Sequence, residues 1–407
     1  MSSLGLDAPL TWDKARLVAA SAGVPVRTEA RLDEALGSVL ADPLHTLQDD
    51  PAIDSSEYDG FAFRGEGPWL IDEISDVLTS GHAYPVRAGQ TLPHHCDAVI
   101  PAHQTQARTR ADERLTLWGL DGLTGLPDES ARPGLGVGIL RQGEYSRAGA
   151  LLLEAGIPVT PAVLATAAAA GHDELIVFRP PVVGVLVLGA SLLDRGLPRQ
   201  NRVRDCLGHT VTAFVGALGA RGNPAVRAPD TEELLLREID DASVDVLITT
   251  GATDPGASSL LRRVLRDLDA HWLVDGIRLT PGADALLARL PDGRLLLGLP
   301  GNPVAALAAL VTLGAPLLGA LRGDPALGAA PVVQMQGSLP DPEIPGDAVL
   351  APCRVERGRD GLTAVPLGAG VAMNAAAPLA PWAAANGVVV AHDGVIAALD
   401  PWGRPWR

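Results

Sequence analysis

The sequence of 407 residues predicts a multidomain α/β protein organised around a doubly wound parallel sheet, with further β structure on either side of it. Three observations carry this prediction. The run VVGVLVLGAS (182–191) is continuously apolar and of strand length, as a strand buried on both faces is; VDVLITTG (244–251) reads as a second buried strand, and RLLLGLPG (294–301) as a strand entering a turn. Between about residues 180 and 322 they alternate with helical patterns, the signature of parallel strands joined by crossover helices. Outside that stretch, short strand-like runs are punctuated by Gly, Pro and Asp, and the chain holds 45 Gly and 34 Pro.

Taken in order, residues 10–22 and 32–41 repeat their apolar positions at helical spacing, and Asp33 and Glu34 open the second stretch where they suit a helix dipole. PAIDSSEYDGFAFRG (51–65) reads as a turn-rich loop entering a strand. Residues 67–143, with CDAVIPAHQT and ERLTLWGL, read as a small β domain. PAVLATAAAAG (161–171) is Ala-rich and helical, with Gly171 as its stop. The regime changes at Arg179-Pro180-Pro181. HTVTAFVGALGA (209–220) is helical, and so is DTEELLLREIDD (230–241), where Asp230 is the expected N-cap and Glu233 stands at capping-box distance. A further helix is expected from about 257 to 268, and a strand, turn and helix from 294 to 313. After Pro331 the segments VVQMQGSL, AVLAPCRVER, GLTAVPL and GVVVAHDG suggest a C-terminal β domain. There is no internal repeat.

Composition narrows the function classes. The chain carries 32 Lys+Arg against 48 Asp+Glu, a net charge of -16, and its one lysine is Lys14. No basic face large enough to neutralise many phosphates is expected, so nucleic acid is excluded as the main partner. Aromatics are 3% of the chain against 47% hydrophobic residues, so Ala, Leu and Val must fill the core. The first residues lack the charged and apolar regions of a signal peptide, and the long apolar stretches are broken by Gly and Pro, so no membrane association is expected. Cys96, Cys206 and Cys353 share no metal-ligand spacing and do not suggest a disulfide framework. A cytoplasmic protein is the expectation.

In a doubly wound sheet, ligands sit beyond the carboxyl ends of the strands. TTGATDPG (249–256) and LPGNP (299–303) fall at two such ends, each placing glycine between a strand and a helix N-terminus. Free backbone N–H groups and the helix dipole there favour an anion. Gly251, Gly256 and Gly301 would admit a phosphate close to the backbone, and Asn302 would add an amide contact. The same glycines also suit tight strand-to-helix turns with no ligand.

The order and spacing of EALGSVLAD, DSSEYDGFAFR, CDAVIPAHQT, RQGEYSRAGALLLEAG, VVGVLVLGASLL, QNR, VDVLITTGATDPG, LPGNPVAALAAL and AANGVVV resemble the molybdopterin molybdenumtransferase family, MoeA and the gephyrin E domain. The resemblance spans nearly the whole chain. It implies a helical domain from residues 6–47 and 144–179, an inserted β domain at 48–143, a molybdopterin-binding-type α/β domain at 180–325 and a β-barrel-like domain at 330–407. It also implies a homodimer with a cleft between one subunit's α/β domain and the other's remaining domains. The implied chemistry hydrolyses the pyrophosphate link of adenylylated molybdopterin, releasing AMP, and inserts molybdate at the dithiolene with a divalent cation such as Mg²⁺. Carboxylates would hold the metal, and cations and backbone N–H groups the phosphates.

Carried over residue by residue, the resemblance makes Asp59 the metal- or molybdate-site carboxylate, although an Asx-turn explains an Asp-Gly pair as well. Asn201 and Arg202 match an Asn-Arg pair that opens a helix near the cleft. Asp230 matches an acidic position that its capping role explains equally well. Thr250, Gly251, Gly256, Pro300, Gly301, Asn302 and Pro303 match the phosphate loops. Elsewhere the chain departs from the pattern. Tyr145 follows Glu144 where an acid is usual, Ala190-Ser191 replaces an acid pair, and Arg199 replaces an Asp. Ala252 replaces a Gly, Asp254 a Ser, Ser259 an Asp, and Thr280 and Ala283 replace lysines. These changes remove metal-side acids and phosphate-side cations together, leaving Arg199, Arg202, Arg204 or Arg278 to compensate. Three readings follow: an active transferase of molybdenum cofactor biosynthesis; a catalytically impaired molybdopterin-binding or assembly protein on the same fold; and a phosphate-ester enzyme of other specificity with Asp254 as a new metal ligand. His94, His95 and His103 read as a solvated loop before a metal cluster.

Overall fold

The structure, a computed structural model, describes residues 8–73, 76–109, 113–199, 201–228, 231–255, 259–342, 344–359, 361–367, 378–392 and 395–399. The chain forms two compact units: residues 1–41, 156–160 and 176–407, and residues 42–155 and 161–175.

The first unit is built on the sheet that the apolar runs predict. Its strand order is Arg221–Gly222, Val182–Leu188, Val246–Thr250, Leu295–Leu299, Leu286–Arg289, His271–Asp275, with Val226–Ala228 also paired to Val182–Leu188. The strands Val182–Leu188, Val246–Thr250 and Leu295–Leu299 run parallel and side by side. The last two strands are antiparallel, so the sheet is mixed, in contrast to the parallel sheet that the sequence predicts. The reason is loop length: the link from Arg289 to Leu295 turns at Asp292-Gly293, Gly293 at φ 93°, and is far too short for a crossover helix.

Helices cover both faces. On one face Val183, Val185, Val246, Ile248, Leu295 and Leu297 share a core with α1 (Trp12–Ala22), with α3 (Leu207–Ala217), and with the long helix made of α6 (Pro303–Ala309), a π-turn Leu310–Gly314 and α7 (Ala315–Arg322). On the other, Leu186, Leu188, Leu247 and Leu296 pack against α4 (Glu232–Asp241) and α5 (Leu260–Asp267) through Leu235, Ile239, Leu261, Val264 and Leu265. The helix Pro303–Arg322 has the length and apolarity of a membrane span, but 83% of its most apolar window is buried inside the protein, which makes it a core helix. A second sheet, ordered Leu10–Thr11, Ile277–Thr280, Ala348–Gly358, Gly361–Pro366, Gln334–Met335 with Gly387–His392 and Val395–Leu399 alongside, holds the C-terminal β segments.

Two local expectations fail. Residues 32–41 are turns followed by the strand Val39–Leu40, because Gly37 adopts φ 80° and Val39 and Leu40 pair with Phe178 and Val177. In helix α4 the N-cap position falls on Thr231, whose side chain makes no capping hydrogen bond, and Asp230 lies outside the described residues.

The second unit is a small β domain. Its main sheet runs Thr105–Thr109, Leu115–Leu120, Trp69–Ile71, His82–Val86, Gly60–Arg64, Ala98–Pro101, with a core of Phe63, Trp69, Ala83, Ala98, Ile100 and Leu117. Helix α2 (Pro161–Ala169) belongs to the same unit and is followed by Gly171 at φ 95°, the expected stop.

Candidate functional site

At the carboxyl edge of the parallel strands, the loops after Thr250 and Leu299 lie against each other. Gly251 N–H donates to the Leu299 carbonyl at 2.8 Å, and a Cβ on Gly301 would sit 3.5 Å from Gly251 Cα. A Cβ on Gly251 would come 3.3 Å from the carbonyl oxygen of Leu188, the last residue of the neighbouring strand. Gly251, at φ 87°, is followed by Ala252 at φ 56°, so two successive residues adopt the left-handed conformation. The backbone N–H groups of Ala252, Thr253 and Asp254 have no acceptor among the described residues. Unpaired N–H groups at a strand end are what an anion needs. Thr250 is buried at the root of this loop, and Gly256 lies outside the described residues.

The loop 299–303 contributes differently. Asn302 Oδ1 accepts from the N–H groups of Val304 and Ala305, both at 3.0 Å, and Pro303 occupies the first turn of α6. The Asn302 carboxamide oxygen is therefore the helix cap, and the position is explained without a ligand.

Asn201 and Arg202 do not open a helix. They form a turn closed by paired backbone bonds between Arg199 and Arg202, followed by the strand Val203–Arg204, and α3 begins at Leu207. Its first N–H groups, of Leu207 and Gly208, are taken by Asp205, a role signalled in the sequence only by an Asp two residues before the first helical position. Arg202 donates to the Ala190 carbonyl at 3.2 Å, Arg278 is tied to Asp347 at 2.9 Å, and the Arg204 Nη1 is buried with no hydrogen-bond acceptor among the described residues. Of the four arginines offered as replacement cations, Arg278 is already neutralised.

The acidic side holds Asp284, which in the sequence is only the residue after the segment that lacks its lysines. Burial, and then the nearby Asp254 carboxylate, push the Asp284 carboxyl above the usual range, with the Arg262 cation pulling the other way. Asp254 and Asp284 are thus close enough for their charges to interact, and Asp254 itself carries one of the three N–H groups. Arg262 is 6% exposed and pairs with Asp275. Among the described residues no group of three or more His, Cys, Asp or Glu side chains is placed to hold a metal ion on its own.

Asp59 belongs to the second unit, directly before the strand Gly60–Arg64. Its Oδ1 accepts from Ala88 N–H at 2.9 Å and its side chain is otherwise exposed. Gly60 is required there, since a Cβ would lie 2.2 Å from the Ile100 carbonyl oxygen. Glu144 accepts from Arg141 N–H at 2.8 Å, and with Asp49 and Asp54 it ties down the loop 141–148. A cavity of about 290 Å³ lies at the opposite, amino edge of the parallel sheet, where Asp245 is paired to Arg179 and Asp292 to Arg294.

Residues 10–171 match the family described as the MoeA N-terminal region (domain I and II), and residues 184–320 match the probable molybdopterin binding domain. The chain belongs to the MoeA family. It is 27% identical over 311 residues to the molybdopterin molybdenumtransferase of Staphylococcus aureus (strain Mu50 / ATCC 700699), covering 71% of this chain and 70% of the relative. The same-named protein of Staphylococcus epidermidis (strain ATCC 35984 / DSM 28319 / BCRC 17069 / CCUG 31568 / BM 3577 / RP62A) is 26% identical over 295 residues, 67% of this chain and 66% of the relative. A crystal structure of the molybdopterin biosynthesis MoeA protein from Pyrococcus horikosii superposes with a TM-score of 0.71 at 23% identity, covering 97% of each chain. The shared fold is thus that of MoeA proteins, with mixed α/β sheets, and the loops 249–255 and 299–303 fall inside the molybdopterin-binding match.

Proposed function

We propose that this MoeA-family chain acts in molybdenum cofactor biosynthesis as a molybdopterin molybdenumtransferase, accepting adenylylated molybdopterin and molybdate and releasing AMP. The observation that carries the reading is the loop after Thr250. Its three N–H groups without an acceptor among the described residues sit inside the molybdopterin-binding match, at the strand ends where such sheets bind ligands. In this reading the N–H groups of residues 252–254 receive phosphate oxygens of the pyrophosphate link. Water adds at one phosphorus of that link, the bridging P–O bond breaks, and AMP leaves.

A divalent cation fits the residues present. Mg²⁺ is usually held by one or two carboxylates, with substrate phosphate and water filling the remaining positions. In this reading Asp254 and Asp284, whose charges interact, would supply two. Bound there, Mg²⁺ would neutralise phosphate charge, and it turns Asp254 from a repulsive neighbour of the phosphate into a partner of it. Asp59 is assigned to the molybdate side, since its exposed carboxylate has one oxygen anchored by Ala88 N–H and the other available. Arg204, whose Nη1 is buried without a hydrogen-bond partner among the described residues, is assigned in this reading as a replacement for the cations absent at Thr280 and Ala283. The roles of Asn201, Arg202 and Asp230 in the cleft, the fourfold domain division, a homodimer and a cytoplasmic location belong to the same proposal. The three free cysteines suit a reducing compartment.

The test is AMP release from adenylylated molybdopterin by the purified protein with Mg²⁺ and molybdate. Mg²⁺-dependent AMP release supports the reading, and Asp59→Ala then lowers it by about a hundredfold or more. Tight pterin binding with no AMP would instead favour a binding or assembly protein, and absence of pterin binding would overturn both.

A further inference from the structure

We propose that Arg262 and Ser259 are positioning residues that hold the loop 251–255 in its anion-receiving conformation. The inference rests on the reading above that this loop takes the phosphate side of the ligand, and it assigns that property to two side chains which touch no ligand. Ser259 Oγ donates to the Ala252 carbonyl. Arg262 Nε donates to the carbonyls of Thr253 and Asp254, at 3.2 and 3.1 Å. Three successive carbonyls are thereby drawn to the start of α5.

The peptide group is planar and trans, so each carbonyl points opposite to the N–H of the next residue. Pulling the Ala252 and Thr253 oxygens inward turns the N–H groups of Thr253 and Asp254 outward, and those are among the three that have no acceptor among the described residues. The conformation needs support, because Ala252 at φ 56° occupies the left-handed region, which an L-residue with a Cβ adopts only at a cost. The guanidinium is itself fixed. Its Nη1 pairs with Asp275, its carbon lies 5.6 Å from the Trp272 ring centroid, and the side chain is 6% exposed. A rigid cation between a strand carboxylate and loop carbonyls is a device for loop geometry. A cation serving only the ion pair with Asp275 would not need the two carbonyl bonds.

Arg262→Gln, Arg262→Lys and Ser259→Ala separate positioning from plain stability. Hydrogen exchange of the 249–255 peptide, read at the Gly251 N–H that is bonded to the Leu299 carbonyl, reports the loop, and KM and kcat for AMP release read its use. The expected result for Arg262→Gln is exchange at least about tenfold faster in that peptide, with Val182–Leu188 and Leu295–Leu299 unchanged. KM for adenylylated molybdopterin should rise about tenfold while kcat moves less than about threefold, with partial rescue in Arg262→Lys. Ser259→Ala should show a weaker version of the same pattern and guards against a fold defect in the arginine variants. Unchanged loop exchange in both Arg262→Gln and Ser259→Ala overturns the inference, as does a fall in kcat and melting temperature with KM unmoved. If the unaltered protein releases no AMP, the functional reading fails alone, and the exchange measurement still decides whether Arg262 and Ser259 hold the loop.

Discussion

Asn302 and Asp254 both stand in loops that resemble a ligand site, yet their side chains have different uses. The Asn302 carboxamide oxygen is consumed by two backbone N–H groups of α6. Replacing it with Ala should therefore cost about 1 kcal/mol of stability in chemical denaturation, while Asn302→Asp retains the cap; an unchanged midpoint in the Ala variant would contradict the capping role. Asp254 shows no such structural use among the described residues, since its bond to Arg262 is made by the backbone carbonyl. A carboxylate near unbonded N–H groups would repel a phosphate unless a cation stands between them. Asp254→Ser should raise the Mg²⁺ concentration needed for half-maximal AMP release by about tenfold at unchanged thermal stability. Equal Mg²⁺ dependence in both proteins would remove Asp254 from the metal side.

Elements impose their own constraints on the site. The long helix that follows Pro303 contains a π-turn at Leu310–Gly314, and buried Arg16 of α1 donates to the carbonyls of Val311 and Thr312 at 3.1 and 3.4 Å. Burial lowers its pKa to about 10, still far above neutral, so it remains a cation. Arg16→Met would leave those carbonyls unsatisfied and should destabilise by roughly 2 kcal/mol or more, read in urea denaturation, with KM for the ligand unchanged. At the other end of the sheet, burial raises the Asp245 carboxyl, but hydrogen bonds from Arg179 and Val182 N–H outweigh it and hold it below the ordinary range. Its contribution is complete above the ordinary Asp pKa and is lost as pH falls through the depressed folded value. Asp245→Asn should be less stable near neutrality and show a shallower loss of stability between about pH 4 and 2; parallel profiles would contradict the assignment.

For the whole molecule, the features legible in the sequence are those that repeat or persist. The three buried parallel strands, the core helices and the two glycine loops belong to this class. A continuous apolar run of strand length fits little besides a strand buried on both faces, and Gly at a strand end fits a tight turn into a helix. What stays hidden depends on contacts distant in sequence. The helix expected at 32–41 has the right spacing, but pairing of Val39 and Leu40 with Phe178 and Val177 decides otherwise. The antiparallel edge is signalled by Asp292-Gly293, a hairpin pair that the alternation of strands and helices obscures. Asp284 gains meaning only when the fold brings it to Asp254, and nothing in the sequence at residues 259–262 announces that they grip the preceding loop. The acidic balance of -16 frames how a chain short of phosphate-side lysines would take an anionic ligand. The proposed answer is backbone N–H groups, Arg204 with its buried Nη1, and a divalent cation. The most direct measurement is a crystal structure of the protein with adenylylated molybdopterin and Mg²⁺. The account predicts phosphate oxygens at hydrogen-bond distance from the backbone nitrogens of residues 252–254, with the cation against Asp254 and Asp284. Ligand bound elsewhere, with those three N–H groups left in water, would contradict it.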